Sequence, residues 1–298
     1  MPSSHPLVSI IIPTFNRADY IMETIQSVRE QTYSHWELII MDDGSEDKTE
    51  ELIQGLNDNR IFFYKQERTG KVGRLKNEGM KKARGEMIAF IDSDDLWAKD
   101  KLEKQLSLLQ KFPTAAFSLT GGYNFKKMGE PIEYYYSRRD GYFHGNIFIS
   151  LFQSQIAAYT QTLLLRTSSL DPSIRFNEGK DFSDVDFILA LASRYNAIVL
   201  YEPLLYRRLH ESNHSSVNWM ENYQLGIDNI HAYRLQIPRP ILHEAYFKLY
   251  ISFGENHLRY HQRIKAIGKF LIAWKHHPWS IVPLKKTAKA LLDLFQSN

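Results

Sequence analysis

Cysteine is absent from all 298 residues. That excludes a disulfide framework, thiolate metal centres and a cysteine nucleophile. Long apolar runs are missing too, since none reaches the roughly 18 residues that suggest a membrane-spanning helix. The opening Met1-Pro2-Ser3-Ser4-His5-Pro6 lacks the basic-then-apolar layout of a signal peptide, so a cytoplasmic-side chain is expected. Gly70-Lys71-Val72-Gly73 lacks the Gly-Lys-Ser/Thr ending of a P-loop. Neither internal repeats nor low-complexity stretches occur.

What is present is a globular composition, 43% hydrophobic and 24% charged, with material for a sizeable core. The net charge of +3 hides an asymmetry. Residues 259–298 carry eight Lys and Arg and one acid, Asp293, while the remaining chain is acidic. This basic tail also holds Phe270, Leu271, Ile272, Trp274 and Trp279. A basic, Trp-bearing helix suits peripheral contact with an anionic membrane, or it packs on the domain with its polar face in water. With an acidic body and no nucleic-acid module, no nucleic-acid partner is expected.

The first third alternates strand and helix signals. Apolar runs at residues 7–12, 36–41, 61–64 and 87–91 read as buried strands. Ile21, Ile25 and Val28 recur at helical spacing. Asp47 followed by Glu50 resembles a capping box, and a helix is expected around residues 71–84. Strands separated by helices predict parallel pairing in an α/β sheet. Residues 115–167 look β-rich, with turns at Gly121-Gly122 and Gly129-Glu130-Pro131. Phe182 to Tyr195 reads as a helix, residues 198–200 and 204–208 as two short strands. From Trp219 the pattern is helical, broken by Pro238, Pro240, Pro278 and Pro283.

Ligands of open α/β sheets sit at the carboxyl ends of strands. Three acidic groups fall there or nearby: Asp42-Asp43, Asp92-Ser93-Asp94-Asp95, and Asp181 to Asp186. Each alone would do as a turn or cap. Together they repel one another and call for a hard divalent cation with phosphate. Asp92 and Asp94, two residues apart after a buried strand, point the same way.

Val8-Ser9-Ile10-Ile11-Ile12-Pro13-Thr14-Phe15-Asn16-Arg17 resembles the opening strand and loop of family-2 glycosyltransferases. Trp36 to Ile40 with Asp42-Asp43-Gly44-Ser45, then Gly70 to Gly79, then Phe90-Ile91-Asp92-Ser93-Asp94-Asp95 are similar to the family's next blocks, in its order and spacing over residues 7–111. A weaker similarity continues to about Ser215. The resemblance implies a GT-A fold: a Rossmann-like, mixed, mostly parallel sheet flanked by helices, here with a helical C-terminal extension. It implies a catalytic domain over residues 1–218 (nucleotide-sugar half 1–112, acceptor half 113–218) and a basic helical extension over 219–298.

It also implies roles. Pro13, Thr14 and Asn16 would lie against the nucleoside. Asp42 would hydrogen-bond the base, with Asp43 supporting that loop. Asp92 would face ribose or diphosphate, and Asp94 would ligate Mg²⁺ or Mn²⁺. Lys76-Asn77 stands where the family usually has Arg-Asn, so Lys76 would touch the nucleotide without the planar fork of arginine, or else stand in solvent on its helix. Asp184 would be the base, with Asp181 a rival and Ser183 replacing the family's usual Glu. Arg208 would neutralise the leaving group, and His210 would reach metal or diphosphate. Tyr134-Tyr135-Tyr136 with Arg138-Arg139 would line an acceptor groove or form an ordinary half-exposed strand.

The expected activity is inverting transfer of a sugar from a nucleoside-diphosphate donor, UDP-linked in the first instance, to a hydroxyl of a saccharide or lipid-linked acceptor, as in cell-surface polysaccharide or glycolipid synthesis. A nucleotidyltransferase lacks support, because no Gly-rich basic loop follows the first strand. A non-catalytic nucleotide-sugar-binding or scaffold protein of the same fold is the remaining alternative.

Overall fold

The computed structural model describes residues 5–135, 140–179, 184–210 and 219–295. The chain divides into two compact units. One comprises residues 1–148 and 156–211, the other residues 149–155 and 212–298.

In the first unit, strands β1 (Val8–Thr14), β2 (Trp36–Asp42), β3 (Ile61–Lys65) and β4 (Met87–Phe90) alternate with α1 (Ile21–Arg29), α2 (Thr49–Gln54) and α3 (Val72–Lys82). Then come β5 (Leu96–Trp97), α4 (Lys101–Lys111), β6 (Ala115–Phe125), β7 (Pro131–Tyr134), β8 (Tyr142–Gly145), β9 (Leu164–Arg166), α6 (Asp184–Ala192) and β10 (Asn196–Arg208), with α5 (Phe148–Phe152) between β8 and β9 and belonging, from residue 149, to the second unit. Among the described residues the strands form one sheet of order β3-β2-β1-β4-β9-β6-β10-β5, with β7 added to β6 and β8 to β10. Pairing is parallel through β3, β2, β1 and β4 and again between β6 and β10. The short β9 lies antiparallel between β4 and β6. The mixed, mostly parallel sheet of the sequence reading is therefore present.

Both faces of the sheet are covered, which is why its inner strands read as unbroken apolar runs. Val8, Ile10 and Ile12 pack on one face with Ile21 and Ile25 of α1 and Leu102 and Leu106 of α4. On the other face α3 lies so close that a Cβ at Gly79 would come 2.5 Å from Ile11. There Phe90 also meets Phe176 and Phe187, whose rings stack at 4.1 Å.

Several expectations change. Gly121-Gly122 makes no turn but lies within β6, where side chains would press within 2.5 Å of the Tyr201 and Leu205 carbonyl oxygens. The glycines permit close approach of β10. The two short strands near residues 198–208 are one strand, β10, whose pairing with β6 shifts around Pro203. Asp47 forms no capping box. Its carboxylate accepts from the amides of Thr49 (3.0 Å) and Ala18 (3.0 Å), tying the α2 start to the loop after β1. The expected turn at Gly129 is present, with φ +85°.

The second unit holds α7 (Trp219–Ala232), α8 (Arg239–Arg259), α9 (Arg263–His276) and α10 (Val282–Phe295). Pro240 and Pro283 do not break this pattern. They sit in the first turns of α8 and α10, where a missing N–H costs nothing. Trp219 stacks on Tyr260 at 5.0 Å, and Tyr223 on Phe253 at 4.8 Å. Phe270 of α9 is buried over Gly254 of α8. Among the described residues no helix is long and apolar enough to cross a membrane.

Candidate functional site

The carboxyl ends of β2 and β4 bring two of the expected acidic groups to the rim where β1 also ends, and Asp184 joins Asp92 there from the start of α6 through Lys76. Their environments differ. Asp42 is buried. Both its oxygens are taken by Ser45, one by the amide (2.8 Å) and one by the hydroxyl. Asp43 accepts from the amide and hydroxyl of Thr69 (both 2.9 Å), from the Gly70 amide (2.7 Å) and from Arg68. Asn16, in the left-handed region at φ +48°, donates its amide to Ser45 Oγ (2.8 Å), and its side chain accepts from the Glu46 amide (2.9 Å). These three residues lock the loops after β1 and β2 together. Asp42 thus shapes the loop from within and does not present an oxygen at its surface. Pro13 and Thr14 end β1, and Thr14 Oγ1 is a buried hydroxyl without a protein partner.

The group after β4 is less satisfied. The Asp92 side chain is 34% exposed, yet its Oδ1 is shielded and unpartnered, 3.6 Å from Lys76 Nζ. Its Oδ2 takes the Gln161 amide. Burial, with the charges of Asp184 and Asp94, holds Asp92 above the usual carboxylate range against the pull of Lys76. Burial also acts on Asp94, but the His210 hydrogen bond and Arg17 outweigh it and keep Asp94 below that range. Arg17 Nε lies 3.4 Å from Asp94 Oδ2. Burial and the neighbouring charges of Asp94 and Asp92 push Asp95 well up.

Lys76 is not a solvated helix residue. It is buried, and Nζ donates to Asp184 Oδ1 (2.8 Å) and to Thr160 Oγ1 (2.9 Å). Burial works against its charge, but attraction to Asp184 and Asp92 prevails and its pKa rises. Thr160 in turn donates to Asp184 Oδ2 (2.7 Å). Asp184 opens α6 with a side chain 28% exposed, so both oxygens are held while one side stays open. Asn77 turns away and clamps the backbone of Phe176 on both sides, at 3.0 Å each.

Arg208 and His210 reach the rim from the end of β10. Arg208 donates to Glu23 (2.7 Å) and to the Asp94 carbonyl (3.1 Å) and lies over Phe125, so it steadies the Asp94 loop. Arg207, on the other face of the strand, is the arginine attracted by Asp95 and Asp92, beside Tyr159 and Tyr135. His210 stacks on Tyr20 at 4.9 Å and places Nε2 3.0 Å from Asp94 Oδ2.

Residues missed by sequence reading are Thr160, Gln161 and Arg207. The first two lie on a one-turn 3-10 helix with no periodic signal. His210-Glu211-Ser212-Asn213-His214 has the His-Glu-x-x-His spacing of helical zinc sites, but His210 directly follows a strand. The rival base Asp181, with Ser183, Tyr136, Arg138, Arg139 and the segment Glu211 to Ser215, lies outside the described residues.

The donor set suits a hard divalent ion. Asp92 Oδ1 accepts no hydrogen bond and has the Lys76 ammonium as its counter-charge at 3.6 Å, which leaves Asp94 and His210 as the donors nearest to hand. The 3.0 Å between Asp94 Oδ2 and His210 Nε2 also matches adjacent ligands of an octahedral ion, about 2.9 Å apart. Among the described residues no three His, Asp or Glu side chains converge into a complete cage. That fits an ion held by one or two carboxylates and completed by phosphate oxygens.

The fold is a mixed α/β sheet covered by helices, with carboxylates grouped at one rim. The model of the family described as "Glycosyl transferase family 2" matches residues 9–168, more than half of the chain, and the chain belongs to that family. It is 41% identical over 135 residues to a Bacillus subtilis protein named as a teichuronic acid biosynthesis glycosyltransferase, TuaG, covering 45% of this chain and 53% of that one. It is 42% identical over 105 residues to the Escherichia coli UDP-Glc:alpha-D-GlcNAc-diphosphoundecaprenol beta-1,3-glucosyltransferase WfgD, covering 35% of this chain and 42% of that one. The chain thus spans about half the length of these relatives. In three dimensions it matches Staphylococcus aureus TarS 1-349 solved with UDP-GlcNAc (TM-score 0.60, 18% identity, 97% of this chain and 80% of that one). It also matches the Pyrobaculum calidifontis mannosyltransferase PcManGT solved with GDP-Man and Mn2+ (TM-score 0.61, 20% identity, 98% and 82%). At those identities the likeness establishes the GT-A fold.

Proposed function

We propose that this chain is an inverting glycosyltransferase that moves a sugar from a nucleoside-diphosphate donor, UDP-linked in the first instance, to an acceptor hydroxyl in polysaccharide or glycolipid synthesis on the cytoplasmic side. The observation that carries this reading is the pairing of the Asp92–Asp94 rim with a carboxylate, Asp184, held beside it by Lys76 and Thr160 with one side open. The relatives' names and the nucleotide-sugar complexes of the structural neighbours support the donor class.

The loops carrying Pro13, Thr14, Asn16, Asp42 and Asp43 cradle the nucleoside, Asp42 acting from inside its turn. Asp92 faces the ribose–diphosphate. Asp94 and His210 would hold Mg²⁺ or Mn²⁺. A divalent ion bound there neutralises diphosphate charge. Arg208 steadies this loop.

Asp184 takes the proton of the acceptor hydroxyl as that oxygen bonds to the anomeric carbon. The bond from that carbon to the diphosphate breaks on the opposite side, and the electron pair leaves with the diphosphate. One displacement inverts the centre. Each Asp184 oxygen accepts one hydrogen bond and keeps a further lone pair for the proton.

Isothermal titration with UDP, GDP, dTDP and CDP, with and without Mn²⁺, tests this on wild type and Asp94→Ala. Metal-dependent binding of one nucleotide, lost in the variant, is expected. Folded protein that binds none of them overturns the reading, and binding without turnover on any acceptor leaves the scaffold alternative.

A further inference from the structure

We propose that the outer face of α10, with the Trp279 loop before it, is a docking surface for an anionic lipid membrane. It is independent of the transferase reading. Helix α10 is apolar on two opposite faces. One face is used: Pro283 and Ala290, seven residues apart, are buried in the helical unit. The opposite stripe, Ile281, Leu284, Ala288, Leu291 and Leu292, recurs at helical spacing and is exposed throughout, Leu292 at 62%. Lys285 and Lys289, also exposed, border that stripe along one side.

The loop ahead of the helix adds a probe. The Trp274 indole donates to the Pro278 carbonyl (2.9 Å) and ties the loop back, which leaves Trp279 95% exposed beside Ile281. An anchored loop that turns an indole fully into water forfeits the burial a Trp normally finds. It regains it at a headgroup–acyl boundary, where amphipathic rings settle.

Charge selects the occupant. Residues 259–298 carry eight Lys and Arg against one acid. Of these, Lys286 is already paired with Glu255 and Lys269 lies over Phe253, whereas Lys265, Lys275, Lys285 and Lys289 stand in solvent. A second copy of the same surface would bring these cations face to face. An anionic bilayer offers both an apolar layer for the stripe and negative headgroups for the lysines.

The test is vesicle flotation of the full chain. Vesicles of phosphatidylcholine alone are compared with vesicles containing about 30 mol% phosphatidylglycerol, at low and high salt. Binding to the anionic vesicles is expected, falling at high salt and at least tenfold weaker on neutral ones. Trp279→Ser with Leu292→Ser, both at exposed positions that leave packing untouched, should abolish it. Lys285→Gln with Lys289→Gln should weaken it roughly tenfold. Leu235→Ser, at a still more exposed leucine off the stripe, should leave it unchanged. No binding to anionic vesicles, equal binding to neutral ones, or binding indifferent to the stripe variants overturns the proposal. So does self-association by light scattering that the stripe variants abolish while vesicle binding is absent.

Discussion

Lys76 on α3 and Lys101 on α4 are both fully buried, and their surroundings differ in one respect. Lys76 faces the carboxylates of Asp184 and Asp92. Among the described residues Lys101 faces none: Nζ donates to the Gln105 amide oxygen (2.7 Å) and lies 4.1 Å over the Trp97 ring. Burial alone pushes the Lys101 amine well below the ordinary lysine range, while the same burial at Lys76 is overcome by its two partners. A buried cation becomes part of a site when the residues around it need its charge. Otherwise it is a cost the fold carries.

Removing the functional lysine breaks the comparison most sharply. Lys76→Met leaves Asp92 and Asp184 crowded without a counter-charge. It should lower transfer at least a hundredfold and destabilise the fold by about 3 kcal/mol, as for a buried pair that loses one partner. Lys76→Arg restores the charge and should recover most of the stability. Initial rates and thermal unfolding on the same preparations check both effects. Unchanged rates in Lys76→Met would mean that Asp184 is not the base, or does not need this hold.

The two neighbouring arginines of β10 sharpen it on a smaller scale. Arg207 lies over the Tyr159 ring (5.7 Å) and is attracted by the charges of Tyr159, Asp95 and Asp92, so Arg207→Ala should cost roughly tenfold to a hundredfold in kcat. Arg208 spans Glu23 and the Asp94 carbonyl, so Arg208→Ala should loosen the Asp94 loop and appear mainly as a raised donor KM, by several-fold. Steady-state kinetics with the donor varied separates the two patterns. The reverse assignment would place Arg208 on the reacting groups.

The different partners of Arg207 and Arg208 were not legible in the sequence, and β10 shows why. Side chains alternate along a strand, but the register shifts around Pro203 reset the parity before Arg207 is reached. Gly121-Gly122 misled for a related reason: glycine marks a turn and a close strand approach alike. Legible features were those written in consecutive residues. Strands β1, β2 and β4 are covered on both faces and so read as apolar runs, and β2 and β4 deliver their acidic groups at or just past their ends. Illegible ones joined distant segments. Thr160 meets Lys76 across 84 positions, and Gln161 meets Asp92 across 69. No local pattern encodes such partners. Asp42 is a middle case, since its position was clear from sequence but its occupation by Ser45 was not.

Lys101 gives the smallest effect, because it reaches the rim only at one remove: Gln105, which accepts from it, donates to the Thr162 carbonyl (2.9 Å), and Trp97 beneath it donates to the Gln161 carbonyl (3.0 Å). Its folded-state pKa lies below the unfolded value of about 10.4. Between those two values the unfolded chain holds a proton that the folded chain has released. Stability therefore rises with pH across that window and levels off above the unfolded pKa. Lys101→Met keeps the stem's packing without the amine. It should remove that rise and stabilise the protein at neutral pH by about 1 kcal/mol, a gain of roughly 2 °C in Tm, with transfer unchanged. Thermal melts from pH 7 to pH 10 on both proteins decide it. A variant less stable than wild type at every pH would show that the Gln105 hydrogen bond and the Trp97 ring outweigh the burial of the amine, and that Lys101, like Lys76, is held there for its polar contacts.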